Sequence, residues 1–175
     1  MKIRYMIQQQ TSQQYFKSLY ILQVSFLVGL LLFSMITVFL KLSGSMIDEN
    51  HGLNAIFQIL VPILVISGFV FGKYLYNKKV TQARHLAELK EKMNEYRGAF
   101  IIRAAMLEGP AIFAIVSFML TGNYLLIALT GLVIVLFIVW LPSKEKVADA
   151  LQLSLTERAV IDNPDAIIAE AEVKQ

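Results

Sequence analysis

RGAFIIRAAMLEGPAIFAIVSFMLT, residues 97–121, is the stretch around which the rest of the chain has to be arranged. It is long enough to cross a bilayer, which takes ~20 mostly apolar residues, yet it carries Arg103, Glu108 and a Gly109-Pro110 pair. If the apolar run begins near Ala99, a rise of ~1.5 Å per residue puts Arg103 ~6 Å and Glu108 ~14 Å along the helix, so the carboxylate stands close to the middle of a ~30 Å core. The stem of an arginine reaches back to the interface; that of a glutamate does not. Glu108 is therefore the residue that most needs a reason.

The surrounding composition agrees with a membrane setting. Of 175 residues, 57% are hydrophobic and 17% charged, with a mean hydropathy of +0.60, outside the range of an ordinary soluble domain. The net charge of +3 lies in basic residues beside apolar runs, which read as topology determinants and not as a nucleic-acid surface. With no cysteine in the chain, thiol nucleophiles, disulfides and cysteine-held metals are excluded.

Outward from the central stretch, the sequence predicts an all-α membrane protein: a four-helix bundle of two antiparallel hairpins, with spans at about 18–41, 53–76, 98–120 and 124–141. Residues 1–15 read as a cytoplasmic interfacial arm, 16–142 as the transmembrane domain and 143–175 as a cytoplasmic tail. The apolar run 19–40 exceeds the ~7–15 residues of a signal-peptide core, so it is expected to remain as the first span. The connection 43–52 has Asp48, Glu49 and His51 but no lysine or arginine, whereas residues 73–97 hold seven of the sixteen basic residues. Lysine and arginine stay inside, which puts the first connection outside and the second, with both termini, in the cytoplasm.

Within the second span lie Gln58, Pro62, Gly68 and Gly72. Counted inward from Leu53, Pro62 falls ~14 Å deep, level with Glu108 on the oppositely directed third span, so a break in helix packing is expected there. Gly68-x-x-x-Gly72 permits close helix contact. Between Val80 and Arg97 there is neither glycine nor proline, and Leu86, Leu89, Met93, Tyr96 and Phe100 recur at helical spacing. The third helix is therefore expected to start near residue 82, with Glu88 and Lys92 as an i, i+4 pair. In the tail, Ser143 and the capping box Ser154-Leu155-Thr156-Glu157 predict two short helices, and Asn163-Pro164 predicts a third.

Chemistry is limited by what is missing. His51 is expected outside and His85 inside, so no triad or shared metal site can use both, and no phosphate-binding glycine loop is present. No enzyme, cofactor or metal is expected. Glu108 admits three roles: a proton or cation carrier; a structural residue held by Gln58, Arg103 or carbonyls freed by the prolines; or a contact to a partner helix. Arg103 is five residues away, ~140° around an ideal helix, so pairing within the helix requires distortion near Gly109 and Pro110.

With Gly68, Gly72, a basic inner connection and Leu107-Glu108, residues 53–121 resemble the hairpin of the rotor-ring subunit c of ATP synthases, whose glutamate carries the proton. The family's repeated glycines and short Arg-Gln-Pro loop are absent, and a charged helix stands in the loop's place. The whole chain is also similar to small four-span bacterial membrane proteins without an assigned activity. The resulting expectation is a non-enzymatic accessory or scaffold subunit in the bacterial inner membrane, in contact with lipid and with a membrane-protein partner or its own copies. The alternative is a small oligomeric proton- or cation-coupled transporter built on Glu108.

Overall fold

In a computed structural model the described residues are 5–44 and 51–174, so the connection that holds Asp48 and Glu49 lies outside them. The elements run β1 Tyr5–Thr11, α1 Ser12–Leu42, α2 His51–Arg84, α3 Leu89–Thr121, α4 Tyr124–Val139, α5 Lys144–Leu151, α6 Leu155–Asp162 and β2 Ile167–Lys174. Helices α1, α2 and α3 are long and apolar enough to cross a membrane. With 16 residues, α4 is ~24 Å long. Gly122, at φ +66°, makes the turn before α4, in a left-handed conformation that suits a residue without Cβ. Asn123 then caps α4 by accepting a hydrogen bond from the Leu125 amide.

Two sequence boundaries are corrected. The third helix begins at Leu89 and not near residue 82, because α2 continues to Arg84 and the chain reverses through residues 85–88. At 34 residues, α2 is ~51 Å long, well beyond the ~20 residues a bilayer requires. The first helix begins at Ser12 and not near residue 18, so residues 12–15 of the arm belong to α1, and the end of the tail is a strand. β1 and β2 pair antiparallel, Gln9 opposite Glu170 and Gln10 opposite Ala169, with an irregularity before Thr11 pairs with Ile167. Ile168, the extra residue there, is fully buried.

The contacts divide the chain into two units. The first comprises residues up to Leu22, Leu75–Ile101 and those from Pro142 on. Its core joins all three segments: Tyr15 and Leu19 from α1, Val80 and Ala83 from α2, Met93, Tyr96 and Phe100 from α3, and Val147, Leu151, Ile161 and Ile168 from the tail. The apolar seam of α3 thus packs on its own chain, with Leu86 and Leu89 at the edge of the core. The Tyr15 hydroxyl donates to the Met93 carbonyl at 2.6 Å. Arg97 lies over the Tyr15 ring, 4.7 Å from its centre, and also donates to Gln10 and Ser18.

The tail is fastened by local caps and by charge. Ser143 caps α5 and the box Ser154/Glu157 caps α6, as their sequences predict. Asn163-Pro164 starts no third helix: the Asn163 side chain accepts from the Asp165 amide, and the chain turns into β2. Lys92 does not pair with Glu88; its ammonium meets Glu157 of α6 at 2.6 Å, the two side chains being 11% and 20% exposed. Burial pushes the Glu157 carboxyl up, but the hydrogen bonds from Lys92 and Ser154 outweigh it and hold the group below the usual carboxylate range. Lys90 pairs likewise with Glu170 of β2 at 2.9 Å, and Arg84 donates to the Ala150 carbonyl at 2.8 Å.

The second unit comprises Gln23–Tyr74 and Ile102–Leu141. Its core is apolar, built on Val61, Val65, Leu107, Ala111, Phe118, Leu126, Val133 and Phe137. Outward faces are apolar too: Met35, Phe39, Ile59 and Ile66 are each more than 60% exposed. Such surfaces are unfavourable in water and suited to lipid.

Candidate functional site

Pro110 governs the geometry around Glu108. A proline inside a helix has no N–H for the carbonyl four residues before it, and here that carbonyl belongs to Met106. The same oxygen faces Gly68 of α2, where an added Cβ would lie only 2.3 Å from it. Any side chain at 68 would collide with backbone, so the bare Gly68 is what lets α2 close over the carbonyl that Pro110 leaves without its helical partner. One helical turn along, a Cβ on Gly72 would meet the Met106 Cβ at 3.2 Å. Gly68 and Gly72 both face α3 in this way, and both are buried.

This register corrects the depth expected for the proline. With Gly68 opposite Met106 and Pro110, the α2 residue level with Glu108 is Gly68. Pro62 is six positions away, ~9 Å along the helix, so the two prolines do not share a level. Gln58 is ten positions away, ~15 Å, and exposed on α2; it does not hold Glu108.

Arg103 does not hold it either. Its guanidinium lies over the Trp140 ring, 4.5 Å from the centroid, and Trp140 stacks on Phe69 at 5.9 Å with 19° between the planes. A cation over an indole face is held by the ring quadrupole, so Arg103 is drawn toward the end of α4. Glu108 itself is partly exposed and makes no hydrogen bond or ion pair among the described residues. Gly109 beside it has nothing within 4 Å of an added Cβ. The structure therefore gathers Arg103, Pro110, Gly68 and Gly72 into one helix contact and leaves Glu108 and Gly109 on its open side.

Several polar contacts of this unit escape a reading by composition. Gln23, 2% exposed, donates to the Phe137 carbonyl near the end of α4 at 3.1 Å; the signal was a lone amide inside the apolar run 19–40. Asn123 donates to Asn54 at 2.8 Å, tying the α3–α4 turn to the start of α2. Thr130 donates to the Ala111 carbonyl at 3.3 Å.

Among the described residues no three His, Asp or Glu side chains are placed to hold a metal ion. In the first unit an open groove is lined by Lys79, Gln82, Leu86, Glu91, Asn94 and Glu95, and Lys79 pairs with Glu95 there at 3.1 Å. No protein-family model, curated protein or solved structure matches the chain.

Proposed function

We propose that the chain is a four-span protein of the bacterial inner membrane, both termini cytoplasmic, that acts without catalysis as an accessory or scaffold subunit of a membrane assembly. Chain closure supports the number of crossings. The residues before Leu22, the segment Leu75–Ile101 and the tail from Pro142 share one unit, and β1 pairs with β2 within it. One folded body with ion pairs such as Lys92–Glu157 occupies one aqueous side, so the chain leaves and returns an even number of times. It goes out by α1 and back by α2, then out by α3 and back by α4. The short α4 crosses with local bilayer thinning, at a cost of fractions of a kcal/mol per Å. The first unit's six basic residues between 75 and 97 favour the cytoplasm for it.

The isolation of Glu108 carries the choice of accessory subunit over transporter. A transport site gathers several polar groups around the ion or substrate, whereas at this level α2 offers Gly68, and Arg103 of the same helix lies over Trp140. Purification of the tagged chain from its native membrane in mild detergent tests the reading. An unrelated subunit in fixed ratio is the expected result. A pure homo-oligomer, with cellular function lost in a folded Glu108→Gln variant, would replace it by the transporter.

A further inference from the structure

The open side of α3 has a defined composition. Ala104, Leu107, Ala111, Ile115 and Phe118 are buried, while Ala105, Gly109, Ile112, Val116 and Met119 follow at steps of four and three along the other side, with Glu108 next to Gly109. Ile112, Val116 and Met119 are 36–40% exposed, and the space over Gly109 is empty. Flat residues at 105 and 109 let another helix backbone come close, and such a helix would lie directly against the Glu108 carboxylate.

We propose that this face docks a transmembrane helix of a different protein that carries a lysine or arginine level with Glu108. Charge complementarity selects the occupant. An acidic side chain at the centre of a span costs ~3 kcal/mol on insertion scales, and intramembrane charges are found paired or in water-filled cavities. Among the described residues the chain supplies no donor to Glu108. A second copy docked in parallel by the same face would bring only another Glu108 to that level, and lipid tails bring no donor at all. The proposal rests on the accessory-subunit reading and names the contact by which the subunit is held.

A photo-crosslinking amino acid at Ile112, with a control at Met35 on the exposed face of α1, tests it in native membranes. Irradiation at Ile112 is expected to give an adduct to one other protein, whose cross-linked peptide maps to an apolar span containing Lys or Arg. Yield should fall at least tenfold in Glu108→Gln and in Glu108→Lys, and return when Glu108→Lys is combined with the reverse charge change in the partner. That rescue decides the matter even if the single variants fold poorly, and absence of rescue overturns the proposal. Adducts solely between copies of this chain, solely to lipid, or to a span without a basic residue also overturn it, as does a yield unchanged by Glu108→Gln. If a foreign subunit co-purifies yet cross-links from Met35 and not from Ile112, the accessory reading survives and this docking face falls. If none co-purifies, both fall.

Discussion

Gly68→Ala is expected to destabilise the second unit by about 2 kcal/mol, whereas Gly72→Ala, one turn away, should be close to neutral. Alanine in place of a helical glycine gains ~1 kcal/mol of propensity at either position, so the difference lies in what the new methyl meets. At 68 it meets the Met106 carbonyl at 2.3 Å. Backbone cannot swing aside, and the helices must part, which costs packing at or beyond the upper end of the ~1–3 kcal/mol usual for overpacked cores. At 72 the nearest atom is the Met106 Cβ at 3.2 Å, and a shift of a few tenths of an ångström relieves it. Denaturant or thermal unfolding in detergent measures the contrast. Equal losses in the two variants would mean that the close approach is not centred on Gly68.

A second large effect is expected in the tail, between two leucines four residues apart. Leu151 is 1% exposed in the core shared with Met93 and Tyr15, while Leu155 is 86% exposed. Leu151→Ala should cost about 2–5 kcal/mol, the range for emptying a buried leucine site. Leu155→Ala should stay within about 0.5 kcal/mol of the parent. Unfolding followed by the near-ultraviolet signal of the buried tyrosines reads both. A tolerant Leu151 would mean that the tail is not docked.

The contrast between these leucines also marks where the sequence stops being legible. Leu151, Leu153 and Leu155 alternate like a strand, and nothing local separates the buried from the exposed. The fold settles it by ending α5 at Leu151, with Gln152 in a left-handed cap. Local signals read well: the apolar spans, Ser143, and the Ser154/Glu157 box depend on residues within one turn of each other. Pairing over distance does not. Nothing in Tyr5-Met6-Ile7 followed by glutamines announces a partner at 167–174, and the pairing joins opposite ends of the chain. The reversal at 85–88 was hidden because it uses neither glycine nor proline. Asn163 was ambiguous because the same side chain caps a helix or closes a turn.

At the candidate site, residue types were legible and register was not. Glu108 stands out from charge in an apolar run, and Gly68 and Gly72 from their spacing. Depth counted from assumed span ends set Pro62 against Glu108, but α2 extends to Arg84, so span ends are poor markers of level. Only the contact of Gly68 with Met106 fixes which residues face each other. The lodging of Arg103 over Trp140 was equally out of reach, because the two come from different helices.

The central claim is that four crossings keep the arm, the middle connection and the tail on one side of the membrane. Single cysteines at Glu49 and at Leu155, in this cysteine-free chain, test it by labelling with an impermeant thiol reagent in intact and permeabilised cells. The account predicts that Glu49→Cys is labelled in intact cells and that Leu155→Cys, although exposed on α6, is labelled only after permeabilisation. Labelling of Leu155→Cys in intact cells alongside Glu49→Cys would mean that α4 does not cross, and would contradict it.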